Sequence, residues 1–194
     1  MASAALKLMT PEEFLLWDLT QEDKHEFVDG YPVKMMTGAS RVHDTIVVNL
    51  IGILRDQLRG SPCKPATDDI ALRTKIRSFR RPDVTVTCDP PKGDVYEALE
   101  PRMVVEVLSP SNVGINWDRK MREYRRLEQL DYILICDAQI VGATLLTRTE
   151  TGWEDADFDR FADVIDIPKL HCRLSIAEIY EGTGLSEEAI DSTP

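Results

Sequence analysis

The alternation of apolar and polar residues divides the chain into short helices and β-type runs in mixed order. Thr10-Pro11-Glu12-Glu13 opens a helix: threonine can cap, proline suits the first helical position, and Glu13 stands where a capping-box carboxylate belongs. The pattern carries this helix through Phe14, Leu15 and Trp17 to about Glu22. Lys24 to Val28 alternates, turns at Asp29-Gly30 and resumes as Tyr31 to Met36, a hairpin signal because the tight turn needs positive φ angles. Pro32 cannot donate to a ladder, so one of these strands has a free edge there. Ser40 caps a second predicted helix that ends near Gly60. At about 100° per residue, His43, Ile46, Val47, Leu50, Ile53 and Leu54 share one face of it.

Ile70 and Leu72 alternate with polar neighbours into a basic turn, and Val84, Val86 and Cys88 do the same in the next strand. Asp89 to Asp94 reads as a loop. Met103 to Leu108 is almost wholly apolar, as expected of a central strand buried on both faces. A helix is predicted from near Asn116 to about Leu130. Tyr132 to Cys136 is a second buried strand, with Val141 to Leu146 as its hairpin partner. Trp153 to Asp166 reads as an edge strand plus loops. Leu174 to Glu178 carries a capping box for a short last helix. The expectation is one domain over residues 1–194, with a core from about 10 to 185 and flexible tails at 1–9 and 186–194.

Composition narrows the classes. At 194 residues with 43% hydrophobic side chains, the chain is large enough to bury a sizeable core. No apolar run approaches the roughly 20 residues of a membrane span, and the opening residues lack a signal-peptide pattern, so a cytoplasmic protein is the expectation. Cys63, Cys88, Cys136 and Cys172 are far apart in sequence, which predicts four reduced thiols packed mostly in the core. The net charge is −11, yet residues 149–194 hold 12 acidic and 3 basic side chains, which leaves the rest near neutral. That acidic quarter could cover a sheet edge, form a homodimer face, or hold basic surfaces away from bulk nucleic acid. Ten of the 23 Lys and Arg residues fall in two windows, Arg73 to Arg81 and Arg119 to Arg126. Each window alone would be a solvated face. Together they suggest a polyanion surface, with Arg80, Arg81 and Arg119 as candidate phosphate contacts.

Glu106 is the residue that most needs explaining. An ionisable carboxyl inside Met103 to Leu108 costs several kcal/mol unless a basic partner, a proton or a metal compensates it. Asp83, at the start of a strand, adds a second carboxylate, and two such groups can hold a hard divalent cation such as magnesium. On the wheel of the helix after Glu106, Trp117, Met121, Tyr124, Leu127 and Glu128 share one arc. Arg119, Arg122, Arg125, Arg126 and Gln129 take the other side. Lys120 lies between Tyr124 and Leu127, so it is the basic residue of this helix that faces inward. It either snorkels or aims an ammonium at a site. His43 is either a packed core residue or a polar group at the rim of that site.

These residues, in this order, resemble a known group. Pro82-Asp83 followed by Glu106-Val107-Leu108 looks like the PD-(D/E)XK nuclease superfamily. The narrower resemblance is to the Uma-type, restriction-endonuclease-like family. It rests on Glu26-Phe27-Val28-Asp29-Gly30, Ser40 with His43, Val104 to Ser111, Asp118, Lys120 and Tyr124, and Asp131 to Asp137. The resemblance implies an α/β fold with a central mixed sheet flanked by helices. It also implies Mg2+ or Mn2+ on Asp83, Glu106 and the Val107 carbonyl, Lys120 and Glu26 as further catalytic residues, and His43 and Ser109 as accessory groups. The superfamily lysine normally stands two residues after the glutamate, where this chain has Leu108, so Lys120 is expected to supply the ammonium from the helix. The implied function is metal-dependent hydrolysis of nucleic acid, DNA foremost. The rivals are a catalytically silent module on the same fold and a hydrolase of a small phosphoester.

Overall fold

The computed structural model describes residues 8–35, 40–89, 93, 96–109 and 117–187. Helix α1 (Pro11–Asp18) leads into strands β1 (His25–Val28) and β2 (Tyr31–Lys34), followed by helix α2 (Arg41–Gln57). Strands β3 (Lys64–Thr67), β4 (Ala71–Lys75), β5 (Ser78–Arg80), β6 (Val84–Thr87), β7 (Glu97–Ala98) and β8 (Pro101–Leu108) come next. Helix α3 (Trp117–Arg125) precedes β9 (Tyr132–Asp137), β10 (Ala143–Arg148), β11 (Trp153–Phe158) and β12 (Val164–Ile167). A single 3-10 turn, β13 (Cys172–Ser175) and α4 (Ile176–Ile179) complete the order. The strands form a five-stranded sheet, β2-β1-β5-β4-β7, a six-stranded sheet, β11-β10-β9-β8-β6-β3, and the hairpin β12-β13.

This is the mixed α/β class expected, with the five-stranded sheet as an addition to the single central sheet the sequence suggested. In the six-stranded sheet β8 and β9 run parallel, so a long crossover must join them, and α3 lies in it. The helix packs on one face of that sheet, where Val104, Ile133 and Leu146 meet Met121 and Tyr124. Val105, Val107, Leu134 and Cys136 point to the other face, against Ile46, Leu50 and Leu54 of α2 and Ile176 and Ile179 of α4. Cover on both faces explains why Met103 to Leu108 lacks the usual alternation. On the five-stranded sheet, Phe14 of α1 stacks on Phe27 at 4.7 Å.

Local chemistry decides several boundaries. The Thr10–Glu13 capping box forms at 2.8 and 3.1 Å, but α1 ends at Asp18 instead of near Glu22. Asp29 and Gly30 take φ angles of 51° and 94° as the hairpin turn requires, and Pro32 sits on the edge strand β2. α3 stops at Arg125, five residues before the expected Leu130. Turns follow, with Arg148 donating to the carbonyls of Arg125, Leu127 and Leu130. Those carbonyls are thereby satisfied without further helix. At α4 the expected capping box is absent, since Ser175 makes no side-chain cap. The acidic segment resolves into edge strand β11, a loop and β12. The expected positions of Met36, most of the Asp89–Asp94 loop, the helix start at Asn116 and the outer parts of both tails lie outside the described residues. Among the described residues, no helix is long and apolar enough to cross a membrane.

The cysteines correct the sequence reading. Cys63 and Cys88 form a disulfide, while Cys136 and Cys172 are free and buried. The reason is register. Lys64 pairs with Thr87 in the antiparallel β3–β6 ladder, so one further step sets Cys63 opposite Cys88, although they are 25 residues apart in sequence. Thiol titration of the unreduced, denatured chain is expected to find two thiols, rising to four after reduction. Reduction should lower the folding free energy by about 3 kcal/mol, the loop-closure scale. Four thiols before reduction would remove the bridge.

Candidate active site

The ends of β6 and β8, the first turns of α2 and α3, and strands β1 and β5 of the other sheet meet at one place. Glu106 leaves β8 on the α3 side of the six-stranded sheet and is buried, with 6% of its surface exposed. Lys120 places its ammonium 2.7 and 2.9 Å from the two Glu106 oxygens. Tyr124, one helical turn later, donates its hydroxyl to Glu106 Oε1 at 2.6 Å. Residues at i and i+4 share a helix face, so one helix supplies both partners. The inward position read from the wheel is thus observed for Lys120.

Glu26 approaches from β1 of the five-stranded sheet, with Oε1 3.5 Å from Lys120 Nζ. Arg80 Nη1 donates to Glu26 Oε2 at 2.7 Å, and the Arg81 N–H donates to Glu26 Oε1 at 3.3 Å. Asp83 enters at the mouth of β6. Its Oδ2 accepts the Val107 N–H at 2.7 Å, and its Oδ1 lies 3.3 Å from His43 Nε2. The β6–β8 register pairs Val84 with Val105, so its next step sets Asp83 opposite Glu106. Like charges at opposed positions repel, which calls for a cation nearby. His43 is buried on α2, whose first turn Ser40 caps by accepting the His43 N–H at 3.2 Å. His43 is thus packed in the core, with its Nε2 turned to Asp83. Ser109 is buried directly after β8.

Burial pushes the Glu106 carboxyl up to about 7. Asp83 adds to the rise by like charge, and Lys120 opposes it. For Lys120, burial works against the charge, but Glu106 and Glu26 outweigh it and hold the ammonium well above its usual range. Glu26 is also penalised by burial, yet Lys120 and Arg80 keep it below the ordinary glutamate value. The His43 imidazole is raised, chiefly by its hydrogen bond to Asp83. Burial and Glu106 raise Tyr124 far above its ordinary value, so it is a neutral donor.

The arginines expected at phosphates are mostly committed elsewhere. Arg80 is fully buried, and its guanidinium joins Glu26 to Glu123 of α3, with Nε 2.7 Å from Glu123 Oε2. Arg81 is 7% exposed and binds Asp18 and the carbonyls of His25, Asp68 and Asp69. Neither can reach a solvent phosphate. Arg119 is partly exposed and pairs with Asp29 and Glu123. In the rest of the first basic window, Arg73 grips Glu97 at 2.7 and 3.0 Å, Lys75 lies 3.1 Å from Glu123, and Arg77 reaches the Met9 carbonyl at 3.4 Å.

One member of this cluster, Glu123, was not singled out in sequence. Tyr124 entered there as an apolar-face aromatic and as part of the family resemblance, without a role at Glu106. Glu123, 1% exposed, was passed over among charged neighbours, although its i+3 spacing from the inward Lys120 sets it beside the inner arc of the helix. Among the described residues, no group of three or more His, Cys, Asp or Glu side chains is arranged to hold a metal ion.

The family model Uma2, described as "Putative restriction endonuclease", matches residues 11–177. The uncharacterized protein slr1290 of Synechocystis sp. is 30% identical over 183 residues, covering 93% of this chain and 95% of its own. A second Synechocystis protein, the uncharacterized sll1609, is 28% identical over 171 residues, covering 82% and 96%. The crystal structure of a putative nuclease belonging to DUF820 from Anabaena variabilis superposes with a TM-score of 0.71 at 15% identity. It covers 89% of this chain and 97% of that one, a likeness of fold.

The Arg80–Glu123 pair yields a stability test. Burial would raise the Glu123 carboxyl, but Arg80 first and Thr74 and Lys75 after it hold it down at about 2. A carboxyl depressed in the folded state adds stability that is present above its unfolded value and lost as pH falls through its folded value. Glu123→Gln is therefore expected to lower the unfolding free energy at pH 7 by about 3 kcal/mol, leaving Arg80 half-compensated. The gap from the native chain should narrow as pH falls from about 4.5 toward 2. Urea unfolding at neutral and acid pH measures both, and a constant gap would sink the assignment.

Proposed function

We propose a function from one premise: this chain belongs to the Uma2 family of putative restriction endonucleases. The reading is a divalent-metal-dependent endonuclease that hydrolyses phosphodiester bonds of nucleic acid, DNA foremost. The observation that carries it is the Lys120 ammonium of α3 seated on Glu106 of β8, with Glu26 and Asp83 brought to the same place.

The residues fit a hard divalent ion by donor chemistry. Asp83 and Glu106 offer carboxylate oxygens at opposed strand positions, and the Val107 carbonyl is a third oxygen of the same class. Magnesium uses one or two carboxylates and keeps several waters, so a larger acidic cluster is not required. When bound, such an ion supplies Lewis acidity toward a phosphoryl oxygen.

The chain's own groups do the rest. Lys120 stabilises negative charge developing on the phosphoryl group and orients a water for in-line attack, a role suited to an ammonium held by burial and two carboxylates. Tyr124 keeps the Glu106 side chain in one rotamer by donating to Oε1. Glu26 holds Lys120 from its far side, and His43 steadies Asp83. Apolar neighbours limit the water that would screen these charges.

With plasmid and single-stranded DNA and magnesium or manganese, the native chain should cut. Glu106→Ala and Lys120→Ala should each lose about two orders of magnitude or more in rate. Cleavage undiminished in Glu106→Ala would exclude this site. Independently, added magnesium should raise the thermal midpoint of the native chain and not of Asp83→Ala. Because Glu106 must ionise to bind a cation and is pushed up to about 7, that rise should shrink below pH 7. A magnesium shift indifferent to Asp83→Ala would reject the ligand set.

A further inference from the structure

Beyond the four charged groups, α3 has a second working flank. At about 100° per residue, Arg119, Lys120 and Glu123 occupy one arc of the helix, and Trp117, Asp118, Met121, Arg122 and Arg125 fall within another. On that second flank the helix and the six-stranded sheet border an open recess of about 450 Å³. Its floor is continuous with the candidate site. Ile135 is the β9 register partner of Glu106, and Thr144 of β10 is the partner of Ile135. Partners on adjacent strands share a face, so the floor begins one strand, about 4.8 Å, from Glu106.

The lining has a definite chemistry. Met121, Ile135 and Leu146 make an apolar floor, and the half-buried Trp117 stands against it. Arg122 and Arg125 are exposed at the rim. Among the described residues neither guanidinium has an ion pair or hydrogen-bond partner, whereas Arg73, Lys75, Arg80 and Arg81 of the other basic window all face carboxylates. Asp118 and Asp155 add carboxylate acceptors. A ligand matching this set has a flat aromatic body, N–H donors on its edge and an anionic group attached. A nucleotide has all three.

We infer that this recess holds an unpaired nucleobase of the strand whose backbone lies at Glu106 and Lys120, an inference that rests on the nucleic-acid reading of that site. The ring lies against Trp117 and the apolar floor. Asp118 and Asp155 accept from an exocyclic amino group, as carboxylates do from cytosine N4. Arg122 and Arg125 hold the adjoining phosphate. A base enters such a recess only when out of a duplex stack, so the ligand is a single strand or an unpaired region. Bases carrying an amino group are favoured over thymine.

Binding without divalent metal separates this from cleavage. Short oligodeoxycytidine and oligothymidine, titrated in chelator by fluorescence anisotropy, should bind the native chain saturably, the cytidine strand more tightly. Trp117→Leu and the double variant Arg122→Ala/Arg125→Ala should each weaken binding about tenfold or more, the scale of one stacked base. Asp155→Ala should erase the preference for cytidine. Arg59→Ala, at an exposed position after α2, should bind as the native chain does. Thermal melts report folding. Should Trp117→Leu fail to fold, the double variant at exposed positions carries the test. Unchanged affinity in the folded variants overturns the inference, as does an absence of saturable binding, or a dimer that only the double variant splits. Recess-dependent binding without cleavage overturns the proposed reaction alone. Cleavage that needs Glu106, with binding indifferent to the recess, overturns the recess alone.

Discussion

The structure depends on a guanidinium that has no access to water. Arg80 is fully buried at the end of β5, and an uncompensated charge there would be prohibitive. Glu26 from β1 and Glu123 from α3 compensate it from two sides. Thr74 of β4 donates to the same Glu123 oxygen at 2.9 Å, so one carboxylate ties the helix to β4 and β5 of the five-stranded sheet, and Arg80 carries the link on to Glu26 of β1. Hydrophobic contacts hold α3 on the six-stranded sheet but tolerate small rotations and slides. A buried, multiply bonded ion pair tolerates neither. Once Glu123 is fixed, helical geometry sets Lys120 three residues earlier and Tyr124 one residue later. Both then arrive on Glu106.

This arrangement leaves the site with a surplus of negative charge. Glu26, Glu123, Glu106 and Asp83 crowd around two enclosed cations, Arg80 and Lys120, with Lys75 and Arg119 reaching only the outer edge of Glu123. Glu123 and Glu26 take the greater share of positive charge and stay low, while burial, with the like charge of Asp83 beside it, lifts the Glu106 carboxyl to about 7. This arrangement sets Glu106 and Asp83 at opposed positions of the β6–β8 ladder with the smaller share of the positive charge. It also explains why one more lysine on the strand is not needed: the ammonium already present spans Glu106 and Glu26.

Much of this was legible in the sequence, for physical reasons that also mark where reading stops. Period and turn chemistry are local, so the hairpin at Asp29-Gly30, the Ser40 cap and the buried β8 run could be read directly. The inward direction of Lys120 was legible because the helix wheel is local too. What failed was non-local. Cys63 and Cys88 meet only through the β3–β6 register. Arg80 and Arg81 looked like a surface patch because charge windows carry no sign of burial, and only the folded sheet reveals the carboxylates facing them. Glu123 was hidden among arginines for the same reason. The Leu130 helix end was misplaced because Arg148, distant in sequence, caps those carbonyls.

Leu108 shows what this design exchanges. A lysine two residues after Glu106 would sit on the same strand, and the ladder hydrogen bonds alone would hold it beside the carboxylate. Here that ladder position is apolar, and the ammonium comes from a helix whose register relative to β8 is a tertiary property. The geometry between Lys120 and Glu106 therefore rests on Arg80, Glu123 and Glu26, none of which need touch a substrate. The same displacement frees the opposite flank of α3. A helix that already reaches over the sheet to deliver Lys120 brings Trp117, Arg122 and Arg125 to the neighbouring strands β9 to β11 at no extra cost in ordering. A strand-borne lysine would have brought nothing beside it. Moving the charge onto a helix thus makes the site more dependent on packing, and couples it to a second surface that the strand could not have supplied.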